Sequence, residues 1–311
     1  MKNKNLAPII LFVYARPDHT IKTVEFLAKN KLAKESNVFI FSDAPKNDKA
    51  KEAVTKTRNY INSLSKKDYF KKVTVFEAKK NKGLANSVIS GVTKIINEYG
   101  KVIVVEDDLI TSSNFIKYMN DALDFYYDDN NIWSISGFNV PMNPYNYSHD
   151  VYLNYRGCSW GWATWKDRWN KIDWDVSDYS SFKQNLFKRM KFNRGGRDLS
   201  QMLDSQMNKK CDSWAIRWCY QQYKENMFTI YPVKTLVKNI GLDGSGTHSG
   251  ITSKFDSEIN DNEVKLNNDL SINKKLIKQF NANFNYGYKQ FIKEILTVFG
   301  LIDLFYMWRK R

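Results

Sequence analysis

The chain has 311 residues, 42% hydrophobic and 15% aromatic, which suffices for a sizeable buried core and excludes a wholly disordered protein. Its formal net charge of +15 favours anionic partners such as nucleic acid, acidic small molecules or an anionic membrane, although a lysine-rich solvated surface produces the same excess. No recognisable nucleic-acid-binding module accompanies the charge, so nucleic acid is not an expected partner, and no run reaches the ~20 apolar residues of a membrane-spanning helix.

The first apolar run, PIILFVYA (8–15), is short and is followed by Arg16, Pro17 and Asp18 in place of a small-residue cleavage site. It therefore reads as a buried strand and not as a signal peptide. Asp18 is placed to cap a helix in which Ile21, Val24 and Leu27 recur at helical spacing. A second strand, NVFIFSD (37–43), ends in a turn at Ala44-Pro45, and a lysine-rich helical segment leads to a third, KVTVFEA (72–78). LANSVISGVTKIINEYG (84–100) reads as a helix with apolar Leu84, Val88, Val92 and Ile95, closed by Gly100. KVIVVEDD (101–108) is a fourth strand, and 114–127 is another helix. This alternation predicts an α/β fold with a mostly parallel sheet and helices on both faces.

The second half is less regular. RGCSWGWATWKDRW (156–169) is rich in tryptophan, segment 198–226 is helical with a break near Cys211-Asp212, 230–239 reads as a late strand, and 241–250 is glycine-rich. Cys158, Cys211 and Cys219 have no metal-type spacing and read as reduced thiols of a cytosolic protein.

Ligands of such sheets bind beyond the carboxyl ends of the strands. Those ends carry Arg16, Asp43, Lys82-Gly83 and Glu106-Asp107-Asp108. Adjacent acids at the end of a hydrophobic strand repel one another and are costly near a core. A hard divalent cation, Mn²⁺ or Mg²⁺, relieves that cost and leaves coordination positions open for phosphate. An acidic turn before a helix is the plainer reading of the same residues.

At VVEDDL (104–109) the sequence resembles the GT-A class of nucleotide-sugar glycosyltransferases. It is similar to bacterial capsule and O-antigen transferases and to the Golgi N-acetylglucosaminyltransferase that carries a Glu-Asp-Asp motif. The resemblance covers roughly residues 7–250 in order of elements. It implies that Asp108 contacts the metal and that Glu106 and Asp107 lie near the ribose or donor sugar. VYARPDH (13–19) resembles the loop that holds the nucleotide through its backbone, at Ala15, and a basic residue, Arg16. FSDAP (41–45) places Asp43 where the class reads the uracil edge, although a capped turn also satisfies it. NKGLANS (81–87) resembles the class's Asn-x-Gly stretch. There Gly83 permits close approach of backbone, Asn86 offers donor and acceptor, and Lys82 is placed to neutralise phosphate. His248, in the glycine-rich 241–250, matches the histidine with which many members bind metal or diphosphate.

In the aromatic segment, Trp160 and Trp162 are expected near the acceptor, because sugar C–H faces stack on indole, while Trp165 and Trp169 are expected to pack. Asp212 matches the position and Asp-x-Trp context of the class's catalytic base, with a helix N-cap as the plainer reading and Asp204 as a fallback. The resemblance implies metal-dependent transfer from a UDP-sugar to a lipid-linked glycan in surface polysaccharide biosynthesis, inverting at the anomeric carbon with a retaining course as the alternative. A sugar nucleotidyltransferase is the rival enzyme, although VYARPDHT lacks the glycines of its first loop. A non-catalytic carbohydrate-binding protein on the same fold is the third reading.

The expected organisation is a catalytic domain over 1–250, split into a nucleotide-binding half (1–110) and an acceptor-binding half (111–250), a polar linker over 251–284, and a tail over 285–311. The tail is apolar and aromatic and ends in Trp308-Arg309-Lys310-Arg311, which suits a helix lying in an anionic membrane surface. A helix packed on the catalytic domain is the alternative. The expected location is the cytoplasmic face of the plasma membrane, as a peripheral protein.

Overall fold

The computed structural model describes residues 5–244, 252–284 and 288–301. The first half alternates strand and helix as expected. β1 (Ile9–Val13) is buried along its whole length. In α1 (Pro17–Ala28) the helix opens on Pro17 with Arg16 at the cap position. Asp18 does not cap it; it lies in the first turn, where its charge complements the helix dipole. β2 (Asn37–Ser42), α2 (Asp48–Ser63), β3 (Lys72–Glu77), α3 (Leu84–Tyr99) and β4 (Lys101–Glu106) follow. Gly100 closes α3 with φ of 79°, a left-handed conformation that glycine adopts without steric cost.

Beyond β4 the chain forms β5 (Leu109–Thr111), α4 (Phe115–Phe125), β6 (Ile132–Ser136), β7 (Val151–Asn154), β8 (Trp162–Trp165), α5 (Lys166–Trp169), α6 (Tyr179–Lys183) and α7 (Leu186–Phe192). Next come α8 (Leu199–Met207), α9 (Trp214–Lys224), β9 (Phe228–Pro232), β10 (Val237–Asn239), α10 (Lys274–Ala282) and α11 (Tyr288–Val298). The strand expected over 230–239 is two strands. Thr235 makes the bend between them, its hydroxyl donating to the Val237 carbonyl (2.7 Å) and accepting from the Asn139 amide (3.1 Å).

The main sheet has eight strands in the order β3-β2-β1-β4-β8-β6-β9-β7. β3, β2, β1 and β4 are parallel, β8 runs antiparallel to β4 and β6, β9 is parallel to β6, and β7 is antiparallel to β9. The fold is thus a mixed, mostly parallel α/β sheet flanked by helices. Because β8 runs backwards, its first residue, Trp162, pairs with Val104. The segment that precedes β8 therefore meets the carboxyl end of β4. β5 and β10 form a separate antiparallel ribbon directly after the acidic run.

The two sheet faces bury two cores. Ile9, Leu11 and Val13 of β1 face one, with α1, α4 and Leu276, Ile277 and Phe280 of α10. Ile10 and Phe12 face the other, with α3 and a tryptophan cluster. In that cluster Trp162 stacks on Trp169 and Trp214, with ring centroids 5.8 and 5.1 Å apart, and lies 5.0 Å from Trp218. Trp162 is fully buried. It is therefore core and not an acceptor contact, which corrects the expectation for that residue.

The segment expected as a linker is part of the same body. Asp261 accepts from the Ser113 amide (3.0 Å) and hydroxyl (3.1 Å), and the Asn260 amide donates to the Thr235 carbonyl (2.8 Å). The Tyr126 hydroxyl donates to the Asn267 carbonyl (2.6 Å), while Val264, Leu266, Leu270 and Ile272 pack on the first core. Among the described residues no helix is long and apolar enough to cross a membrane, and Cys158, Cys211 and Cys219 are free thiols.

Candidate active site

The carboxyl ends of β1 and β4 lie side by side, with Phe12 paired to Glu106. Asp107, buried just beyond β4, accepts from the Tyr14 amide (3.2 Å) and from the Arg16 guanidinium. Its own carbonyl accepts from Thr23 Oγ1 (2.8 Å), which ties α1 to the site. Ala15 lies between the two donors, partly buried. The same Arg16 nitrogen is 3.0 Å from Asp108 Oδ2. Asp108 Oδ1 is buried and has no partner.

Burial is the first cause that raises the Glu106 carboxyl well above the ordinary carboxylate range, and the charges of Asp108 and Asp107 add to it against Arg16. Asp107 is raised by burial too, with Arg16 opposing. Three acids and one guanidinium leave this cluster short of positive charge. A divalent cation would supply what is missing, with Asp108 Oδ1 as a ligand atom left without a partner. Among the described residues no three His, Cys, Asp or Glu side chains converge on one point. A cation here would therefore take few protein ligands and complete its shell with phosphate and water, as Mg²⁺ commonly does.

The chain returns over the cluster after β10. The Ile240 amide donates to the Asp108 carbonyl (2.8 Å). A Cβ on Gly241 would sit 2.2 Å from Asp108 Oδ2 and 2.7 Å from Arg16 Nη1, so only glycine permits this approach. His19 Nε2 lies 3.2 Å from Asp243 Oδ2 and 3.3 Å from the Ile240 carbonyl. Sequence reading passed over His19 and Asp243. His19 stands three residues after Arg16, in the first turn of α1, and that nearness was the one available signal. His248 lies outside the described residues.

Asp43 sits at the end of β2 and accepts from the amides of Ala44 (2.8 Å), Lys82 (3.0 Å) and Gly83 (3.0 Å). It locks the loop that opens α3. Gly83 has φ of 77° and belongs to that loop, while Asn86 donates to the Lys82 carbonyl (3.1 Å). Asp43, Lys82, Ser87 and Lys94 share a cleft of about 250 Å³ with Phe41 and Phe76, whose rings stack 4.7 Å apart.

Asp212 faces the same loop from the other half of the chain. Its Oδ2 would be 3.5 Å from a Cβ on Gly83. Its side chain is 56% exposed, with Arg217 Nη2 3.8 Å from Oδ1. It does not cap α9, because Ser213 accepts from the Ile216 amide instead (3.3 Å). The fallback, Asp204, is committed elsewhere: it accepts from Arg189 at 3.0 and 2.7 Å and from the Tyr179 hydroxyl at 2.9 Å. Trp160 lies just before β8, at the β4 carboxyl edge, partly buried edge-on against Phe138 (4.6 Å) and Phe255 (5.5 Å).

No protein-family model matches the chain, and no curated protein matches its sequence. Among solved structures it is similar to residues 1–349 of S. aureus TarS, with a TM-score of 0.43 and 12% identity over 74% of this chain and 59% of that one. It is similar to a cytidylyltransferase from Leptospira borgpetersenii serovar Hardjo-bovis, with a TM-score of 0.32 and 13% identity over 54% of this chain and 63% of that one. A UDP-glucose pyrophosphorylase complexed with UDP-glucose gives 0.36 and 11% identity over 73% of this chain and 90% of that one. The chain thus spans less than two thirds of the length of the first two. At these scores the likenesses are of shape, and the chemistry rests on the residues above.

Proposed function

We propose that the chain is a GT-A-type glycosyltransferase that transfers a sugar from a UDP-sugar to a glycan acceptor. The observation that carries this reading is the buried, unpartnered Oδ1 of Asp108 in a charge-deficient acidic cluster at the strand ends. Across the Gly83 loop stands Asp212, a carboxylate with no capping duty. A purely structural acidic turn requires neither.

In this reading Asp108 and the donor's diphosphate together hold Mn²⁺ or Mg²⁺, which when bound offsets the negative charge on the leaving UDP. Arg16 and Lys82 add positive charge beside the diphosphate. Ala15 supplies backbone to the nucleotide, Asp43 and Asn86 fix the loop of Gly83 against it, and Glu106 and Asp107 orient the ribose and donor sugar. Asp212 takes the proton of the acceptor hydroxyl as it attacks the anomeric carbon from the face opposite UDP, so the configuration inverts. Trp160 offers an aromatic face to an acceptor sugar. His19, held by Asp243, is a histidine already beside the cluster, and His248 retains its proposed role at the metal or diphosphate. The acceptor is lipid-linked in this reading, and the tail over 285–311 meets an anionic membrane.

The test is calorimetric titration of UDP with and without Mn²⁺. Wild type is expected to bind UDP only with the metal, and Asp108→Ala to lose that binding. Gly241→Ala is expected to weaken it, because the added methyl displaces Asp108 and Arg16. Equal affinity with and without Mn²⁺, or an Asp108→Ala variant that binds like wild type, would refute the site.

A further inference from the structure

The region over α6 and α7 combines basic side chains with exposed apolar ones. Between positions 179 and 197 the chain carries Lys183, Lys188, Arg189, Lys191, Arg194 and Arg197 and no acidic residue. Of these, Arg189 is buried. On α7, Phe187 is 84% exposed and Met190 52%, and their i, i+3 spacing puts both on one face. A phenylalanine this exposed gains nothing from the fold, and Lys188 next to it and Lys191 one turn on leave basic groups around it.

The element is held rigidly from behind. Phe182 and Phe192 pack on Tyr220 of α9 at 5.0 and 5.5 Å. Arg189 points inward, pairs with Asp204 of α8 and donates through Nε to Glu294 of α11 (2.5 Å). This buried ion pair docks α11 beside α7. Glu294 and Thr297 are the buried side of α11, and Phe291 and Ile292 remain exposed, as do Phe299 and Leu301 just past its end. Over 288–298 the chain thus packs on the catalytic body through one face, the alternative weighed for this segment, and keeps the other face outward. Ile302 to Arg311 lie outside the described residues.

We infer that α7 and the outward face of α11 form one docking surface for an anionic lipid bilayer. Phe187 and Met190 enter the boundary between headgroups and acyl chains, and Lys188 and Lys191 pair with lipid phosphates. Charge selects this occupant: a stretch without a single acid suits an anionic surface, whereas a second copy of the same patch would meet like charge. Through Tyr220 the surface is braced on α9, the helix that starts beside Asp212, which sets the membrane on the acceptor half of the molecule. The inference stands apart from the transfer reaction, because lipid binding requires no nucleotide.

The experiment is co-sedimentation of the full chain with phosphatidylcholine vesicles, with and without phosphatidylglycerol. Binding is expected only with the anionic lipid. Phe187→Ser/Met190→Ser is expected to weaken it about tenfold, and Lys188→Gln/Lys191→Gln about fivefold for each charge removed. All four side chains are on the surface, and unchanged circular dichroism would verify that the variants fold. Unchanged vesicle binding by Phe187→Ser/Met190→Ser overturns the proposal. So does a dimer in solution that this variant converts to monomer while vesicle binding stays as in wild type, which would make the patch a self-interface.

Discussion

Asp212 illustrates how much a single residue's setting decides. Its Asp-x-Trp context was legible in the sequence, and so was the competing role of a helix cap. The structure gives that role to Ser213, leaving the Asp212 carboxylate exposed beside Gly83. Asp212→Asn keeps the shape and removes the basicity, so turnover is expected to fall at least ~100-fold while Mn²⁺-dependent UDP affinity stays at the wild-type value. The rate of UDP release in the presence of donor and acceptor reads the first quantity, and calorimetry the second. A variant that turns over normally would remove Asp212 from the chemistry. His19 is the opposite case. Its contact with the Ile240 carbonyl joins positions 221 apart, and no local pattern encodes a contact of that range.

Among the elements, β8 carries the sharpest contrast. Trp160 and Trp162 are two residues apart, yet one reaches the carboxyl edge of β4 and the other is sealed between α3, α5 and α9. Sequence reading set both near the acceptor because indole serves sugar binding and core filling equally well. The antiparallel insertion of β8 between β4 and β6 separates them, and strand direction cannot be read from an apolar run. Trp162→Ala is expected to lower unfolding stability by about 3–5 kcal/mol, seen as an earlier urea midpoint. Acceptor KM is expected to hold in the fraction that stays folded. A selective rise in KM with normal stability would return Trp162 to the acceptor site.

For the molecule as a whole, the segment over 252–273 ties the far edge of the sheet to α4. Asp261 is one of its anchors, and the backbone hydrogen bond from Ser113 holds its carboxyl below the ordinary range. A folded-state pKa lower than the unfolded value means that this contribution is complete above the unfolded pKa, about 3.9. It is lost as pH falls through the folded value. Proteolytic cleavage within 252–273 is therefore expected to rise below about pH 4, and Asp261→Asn to be cleaved more readily already at neutral pH. Cleavage independent of both pH and substitution would show that the other contacts of the segment hold it alone.

The strand-helix alternation of the first half, the Gly100 stop and the polar residues at four strand ends were all present in the sequence, because hydrophobic period and capping chemistry act over a few residues. The tertiary structure decided what depends on distant partners. It pairs Arg16 with Asp107 and Asp108, packs the supposed linker onto the core, and buries Trp162 while leaving Phe187 in the open. Each of these is set by which surfaces meet when the sheet closes, and burial and pairing energies follow from those meetings rather than from residue type.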